Sequence, residues 1–167
     1  MKQMKILDNK QISEKADRIA YQILENNYKN KSIIFLGINK NGYRFAELLK
    51  EKYDNITDNS SKIGHLEINA ANPLESEILL DIDLKTLNKK AVIVVDDVAN
   101  TGRTIFYATK PLMDYLPKKI EAAVLVDRTH KLFPIKVDYV GLSLATTLKE
   151  NIVVDLTKKN KGSVSME

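Results

Sequence analysis

The sequence predicts a single α/β domain built on a doubly wound, mainly parallel sheet. Short, almost unbroken apolar runs at 32–38, 91–95 and 121–126 read as strands covered on both faces, the habit of parallel sheets. Stretches with helical apolar spacing separate these runs. Strands alternating with helices imply parallel pairing through crossovers. No internal repeat or linker divides the 167 residues, which suit one domain with a sizeable core. The domain is expected to span residues 1–157, with 158–167 as a polar tail.

Taken in order, Ile12, Ala16, Ile19, Ala20, Ile23 and Leu24 make an amphipathic helix over about residues 10–28, with Asp8 or Asn9 as its cap. The strand at 32–38 leads into a polar loop, Asn39-Lys-Asn-Gly42, and then a helix over about 43–53 with Phe45, Leu48 and Leu49 inward. Residues 54–62 form a polar loop, and 63–68 alternate like a strand. A loop containing Pro73 follows, and 77–82 is an expected edge strand. Residues 91–95 form the strongest buried strand, β-branched through its centre. Thr101-Gly-Arg-Thr104 turns into a helix carrying Ile105, Ala108, Leu112 and Leu116, which Pro111 kinks or divides. Further strands are expected at 121–126, 137–142 and 152–156.

The composition, 44% hydrophobic and 29% charged, is that of an ordinary soluble domain. Absence of cysteine excludes a disulfide framework and a thiolate metal site. No apolar run approaches the ~20 residues that span a bilayer. The amino terminus lacks the apolar stretch of a signal peptide, so a cytoplasmic location is expected. The net charge of +4 suits an anionic ligand as well as RNA, and Lys158, Lys159 and Lys161 in the tail supply much of it.

The chemistry concentrates between Val92 and Thr104. In an open α/β sheet, ligands lie beyond the carboxyl ends of the strands. Asp96 and Asp97 end the strongest strand, and ionised carboxylates only accept hydrogen bonds, so an adjacent pair grips the two hydroxyls of a ribose. The loop Ala99-Asn-Thr-Gly-Arg-Thr104 offers backbone N–H groups, hydroxyls and a helix start, which together favour a phosphate. Gly102 admits close backbone approach and positive φ. Alone, an Asp-Asp pair also caps loops or binds metals, and Thr-Gly-x-Thr also opens ordinary helices. A diol grip beside a phosphate cradle describes a ribose 5-phosphate site.

The contiguous pattern of apolar strand, Asp-Asp-x-small-x-Thr-Gly-x-Thr and helix resembles the 5-phosphoribosyl-1-pyrophosphate (PRPP) motif of type I phosphoribosyltransferases. The likeness extends to the PyrR group, uracil phosphoribosyltransferases that double as RNA-binding attenuators of pyrimidine operons. Ile6-Leu-Asp8 and the helix after it resemble that group's amino terminus. Leu36-Gly-Ile-Asn-Lys-Asn-Gly42 is similar to its Gly-Ile-Lys-Thr-Arg-Gly loop. Leu125-Val-Asp-Arg-Thr-His-Lys-Leu-Phe-Pro-Ile135 and Asp138-Tyr-Val-Gly141 resemble its Leu-Val-Asp-Arg-Gly-His-Arg-Glu-Leu-Pro-Ile and Asp-Tyr-Val-Gly. The resemblance covers most of the chain and weakens between about 54 and 90.

The resemblance implies the type I phosphoribosyltransferase fold and transfer of a phosphoribosyl group from PRPP to a small nitrogenous base, uracil first, with Mg2+ bound alongside PRPP. Asp96 and Asp97 would hold the ribose hydroxyls, and Ala99, Asn100, Thr101, Gly102, Arg103 and Thr104 the 5-phosphate. The backbone at Lys40 and Asn41 would face pyrophosphate, often through a non-proline cis peptide in this fold. Asp97 and Lys40 are the candidate catalytic residues, and Asp127 and Arg128 would border the base pocket. Asp127 would either support Mg2+ through water or cap the following turn. His65 and His130 have no partner at ligand spacing and read as structural or surface residues. At least a homodimer is implied.

The pattern also departs from the family. Purine enzymes commonly carry Asp where this chain has Asn100, and an amide cannot accept a proton as a carboxylate can. The PyrR group opens a mobile lid with Tyr-Arg-Asp-Asp, whereas Asn69-Ala-Ala-Asn-Pro-Leu-Glu-Ser-Glu77 is shorter and has no basic residue. Asn41 stands where PyrR has Arg, leaving Lys40 as a point charge. On the first helix, where PyrR faces RNA with Thr-Arg-Ile-Ala-His, this chain has Asp17-Arg-Ile-Ala-Tyr21, and Asp17 repels a phosphate backbone. RNA is therefore disfavoured. The alternative function is a PRPP- or nucleotide-sensing regulator with weak or no catalysis, acting through RNA or a protein.

Overall fold

Side chains alternate across a strand, so the apolar runs divide between two faces of a sheet. In the computed structural model, which describes residues 3–147 and 149–167, both faces are covered. Met1, Lys2 and Leu148 lie outside the described residues. The elements are β1 (Met4–Leu7), α1 (Asn9–Asn26), β2 (Ser32–Ile38), α2 (Asn39–Asp54), β3 (Ser60–Glu67), β4 (Leu79–Leu80), β5 (Ala91–Ala99), α3 (Arg103–Ala108), β6 (Lys119–Arg128), β7 (Tyr139–Leu144), β8 (Ile152–Asp155) and β9 (Ser163–Met166).

Six strands form the central sheet in the order β4-β3-β2-β5-β6-β7, parallel except where β4 runs against β3. Ile33, Phe35, Ile93, Val95, Ala123 and Leu125 point to the face packed by α1 and α2. Ile34, Leu36, Val92, Val94 and Val124 point to the other, with Ile105, Ala108, Leu112 and Leu87. After β2 the chain passes outward to β3 and then returns to β5 on the other side of β2. The order reverses between β2 and β5, so their carboxyl ends flank the crevice where a ligand fits. No helix among the described residues is long and apolar enough to cross a membrane.

Asp8 caps α1 through a reciprocal capping box with Gln11, and Ile12, Ala16, Ile19, Ala20 and Ile23 are buried as the helical spacing requires. Several boundaries differ from expectation. The expected loop 39–42 is the first turn of α2, entered through Asn39 at φ 52°, a conformation asparagine tolerates. The helix after Thr104 stops at Ala108 and becomes a 3-10 turn over Lys110–Asp114, because Pro111 has no N–H to continue the α-helical ladder. Leu116, expected inward, is 82% exposed. The expected edge strand at 77–82 shrinks to Leu79–Leu80.

The expected polar tail needs correction. Residues Ser163–Met166 form β9, the middle strand of a three-stranded antiparallel sheet ordered β1-β9-β8. Val164 is fully buried there, and its contact with the main core outweighs the polarity of the lysines before it. This small sheet stands over the amino-terminal part of α2: Asn41 Nδ2 donates to Val154 O on β8 (2.9 Å).

A buried polar knot closes the opposite end of the sheet. The Tyr139 hydroxyl donates to Glu121 Oε2 (2.8 Å), Asn27 Nδ2 donates to Glu121 Oε1 (2.9 Å), and Lys119 pairs with the same carboxylate at 3.2 Å. Burial, and then the Glu121 hydrogen bond, push the Tyr139 phenol well above its usual range. Tyr139→Phe removes a hydrogen bond to a charged acceptor and is expected to cost about 2 kcal/mol. Urea unfolding of the two proteins measures this; no change in midpoint would show that the hydroxyl is dispensable.

Candidate functional site

Strand β5 carries its apolar run into the crevice and delivers Asp96 and Asp97 at its carboxyl end. Asp96 is 8% exposed, and its Oδ1 accepts the Asp97 backbone N–H at 2.9 Å. Asp97 Oδ1 accepts the Val98 N–H, also at 2.9 Å. Burial raises the Asp96 carboxyl well above the ordinary range, and the neighbouring charge and hydrogen bonding of Asp97 raise it further. The free site therefore resists ionisation at Asp96, and a ligand that brings hydrogen-bond donors or positive charge favours the carboxylate form.

The loop after β5 is built as a cradle. Gly102 takes φ 86°, which only glycine adopts cheaply, and a Cβ there would sit 2.6 Å from Ile135 Cγ1. The Thr101 hydroxyl accepts the Arg103 N–H (3.3 Å), while Thr101 O accepts the N–H groups of Leu132 (3.0 Å) and Phe133 (3.2 Å). The N–H groups of Thr101 and Gly102 have no acceptor among the described residues. Asp96, Ala99 and Asn100 to Thr104 line one cleft of about 450 Å3, closed by Ala70, Leu132 and Phe133. Asp97 does not line this cleft, because adjacent strand residues face opposite sides.

A second hollow of about 350 Å3 meets the cleft at Asn100 and Thr101 and is bordered by Arg128, Thr129, His130, Leu144, Thr146 and Thr147. Arg128 braces it, donating to Asn100 Oδ1 (3.2 Å), Thr146 Oγ1 (2.7 Å) and Thr147 O (2.8 Å). Asp127 does not border it. Its carboxylate is ion-paired with Lys131 at 2.5 Å, and Lys131 also donates to Asn100 O (3.2 Å). In this structure the Asp127 carboxylate is thus engaged by Lys131 rather than lining the hollow, contrary to its expected place at the base pocket.

Across the crevice, α2 begins without a side-chain cap, which leaves the positive end of a 16-residue helix facing the carboxyl ends of the strands. Gly42 brings that end onto β5: a Cβ there would lie 2.8 Å from Val95 O and 3.2 Å from Asp96 Oδ1. Lys40 is exposed beside a hollow shared with Asn39, His65 and Glu67. Asn41 turns its side chain to β8, with Oδ1 buried and unpartnered, so only its backbone faces the crevice. No cis peptide bond occurs among the described residues, contrary to the expectation at Lys40–Asn41.

Two contributors, Asn39 and Lys131, have no role predicted from the sequence, and Arg103 takes partners that its position did not foretell. Asn39 fastens the end of β3, donating to Ile68 O (3.0 Å) and accepting the Ile68 N–H (2.9 Å). Lys131 ties the loop after β6 to Asn100. Arg103, expected on the phosphate, reaches along the cleft wall to Ala70 O (2.6 Å) and Ala71 O (2.9 Å). Only Asn39 left a signal, since asparagine at a strand-to-helix junction suits positive φ.

A model of the phosphoribosyl transferase domain matches residues 2–158. "Bifunctional protein PyrR" of Macrococcus caseolyticus is 34% identical over 160 residues, 90% of each chain. Its namesake from Enterococcus faecalis is 34% identical over 166 residues, 96% of this chain and 93% of that one. A crystal structure of a hypoxanthine-guanine phosphoribosyltransferase from Bacillus anthracis shares the fold at TM-score 0.73 and 24% identity, covering 89% of this chain and 86% of its own. With strand, carboxylate pair and Thr101-Gly-Arg-Thr104 loop in place on that fold, the chain belongs to the phosphoribosyl transferase domain family as a PyrR-like member of its type I fold.

Proposed function

We propose that the chain binds PRPP together with Mg2+ and transfers its phosphoribosyl group to a small nitrogenous base, uracil first among candidates. The observation that carries this reading is the meeting, at the carboxyl ends of β2 and β5, of a buried carboxylate, a loop with free N–H groups and an uncapped helix start. Asp96 takes the ribose hydroxyls from the cleft wall, Asp97 meets the same ribose from the other side of the strand end, outside the cleft, and the loop from Ala99 to Thr104 takes the 5-phosphate. The start of α2 at Lys40 and Asn41 faces the pyrophosphate. The base occupies the hollow at Arg128, next to the cleft, so the C1–N bond forms where the two cavities meet as the C1–O bond to pyrophosphate breaks.

No group of three or more His, Asp or Glu fit to hold a metal occurs among the described residues. The donor set nevertheless fits a magnesium ion arriving with PRPP: the carboxylates of Asp96 and Asp97 would supply the hard oxygen ligands it prefers. Such an ion would supply positive charge against the pyrophosphate. Asp127 would reach it only through water and only by giving up Lys131.

Incubation with PRPP, Mg2+ and each of a panel of pyrimidine and purine bases, following pyrophosphate release, tests the proposal. Release is expected with uracil above all. A regulator acting through RNA or a protein is the second reading, favoured by a 69–77 loop without any basic residue. Against RNA, the Arg18 guanidinium is committed to Val140 O (2.8 Å) and Gly141 O (2.7 Å), and the neighbouring Asp17 ties up a second cation, Lys52, at 3.0 Å. No release with any base, together with tight RNA binding, would reverse the order of the two.

A further inference from the structure

We propose that Arg103 is a positioning residue that latches the 69–77 loop over the cradle, supplying from the phosphate side the cation that the loop lacks. This rests on the reading of the cleft as a PRPP site. One terminal nitrogen of Arg103 donates to two successive loop carbonyls, Ala70 O at 2.6 Å and Ala71 O at 2.9 Å. Among the described residues, no other side chain outside the loop hydrogen-bonds to it. The loop's remaining polar contacts are its own: Asn69 Oδ1 accepts the N–H groups of Ala71 and Asn72, and Asn69 Nδ2 donates to Glu75. Ala70, Ala71 and Asn72 are exposed while Pro73 is buried, so packing anchors the loop at Pro73 and the guanidinium holds the stretch before it.

The rest of Arg103 is placed for a second task. Its backbone is fixed by Gly102 at φ 86° and by the Thr101 hydroxyl, so the side chain leaves the cradle from a defined point. Arg103 and Ala70 line the same cleft as Asp96 and Asn100 to Thr104. Its Nε and the other terminal nitrogen have no acceptor among the described residues. A planar guanidinium holds carbonyls on one edge and an anion on another. Phosphate bound in the cleft immobilises the side chain, and the immobilised side chain holds the loop. Ligand binding and loop closure thereby become one equilibrium, in which each favours the other.

Hydrogen exchange at the loop amides, resolved by peptide mass spectrometry, tests the latch in the whole protein. In the free protein, Arg103→Ala is expected to speed exchange across 69–77 about tenfold while β5 peptides stay unchanged. Saturating PRPP with Mg2+ is expected to slow the wild-type loop about tenfold and to leave the Arg103→Ala loop unprotected, with Arg103→Lys recovering part of the effect. In turnover, Arg103→Ala should lower kcat more than it raises KM for PRPP. A loop that exchanges alike in the free wild type and variant, or that PRPP still protects in Arg103→Ala, overturns the latch. If the wild type fails to bind PRPP, the reading of the cleft fails instead, and the free-protein comparison still decides the latch.

Discussion

Asp96→Asn combined with Asp97→Asn is expected to abolish PRPP binding while the fold survives. Each ionised carboxylate accepts hydroxyl hydrogen bonds strongly and faces no competing donor of its own. An amide in its place brings an NH2 group toward the hydroxyls and removes the charge that attracts a metal-bound ligand. At about 2 kcal/mol for each charged hydrogen bond, the pair is worth about 4 kcal/mol, or about a thousandfold in affinity. The fold is spared because an asparagine oxygen at position 96 still accepts the Asp97 N–H now held at 2.9 Å. Calorimetry with PRPP and Mg2+ reads the outcome, and an affinity equal to wild type would sink the assignment.

The same substitution at Asp96 should stabilise the free protein. Asp96 binds its proton more tightly folded than unfolded, since burial and Asp97 raise its folded value. Between the ordinary aspartate range and that raised value, the folded state holds more protons, so stability falls as pH rises through the window. Once ionised, the carboxylate is a net cost that Asp96→Asn removes, so the melting temperature on the high-pH side of that window should rise while the low-pH gap closes. PRPP affinity should move the other way, growing as pH climbs and the carboxylate ionises. Binding strength at this position is thus held at the expense of stability, as expected where a site is organised ahead of its ligand.

That trade-off explains which parts of the molecule were legible in the chain. The apolar strand, Asp96-Asp97 and the loop through Gly102 lie within thirteen residues, so their geometry follows from local rules of strand, turn and helix start. The carboxyl-terminal strand was not legible, because Ser163-Val-Ser-Met166 pairs with Met4–Leu7 from the other end of the chain and alternates too weakly to announce it. The start of α2 was hidden by Asn39, Asn41 and Gly42, poor helix formers that tertiary contact with β5 and β3 holds in place. Arg103 read as a phosphate ligand by position, but its two carbonyl partners sit on a loop more than thirty residues earlier, and no periodicity encodes that meeting.

Gly37→Ala should separate the fold's tolerance from the site's. A Cβ at Gly37 would lie 2.4 Å from Tyr43 Cα, 2.8 Å from Tyr43 N and 3.0 Å from Gly42 O. All three are backbone atoms of α2, which cannot swing aside as a side chain does. Nor can β2 yield, since Gly37 is paired with His65 on one side and Val95 on the other. The helix start must lift from the sheet, at a cost of about 3 kcal/mol or ~10 °C in melting temperature. Because Gly42 seats that same turn on Val95 O and Asp96, the lift also widens the crevice, and PRPP affinity should fall in the protein that remains folded. Gly64→Ala is the matched control: its Cβ meets Ile82 Cγ2 at 2.7 Å and Leu36 Cδ2 at 2.9 Å, ends of side chains that can rotate, at a cost of about 1 kcal/mol. Equal losses at the two positions, or an unchanged PRPP affinity in Gly37→Ala, would mean that the close approach of α2 to β2 does not hold the helix end at the site.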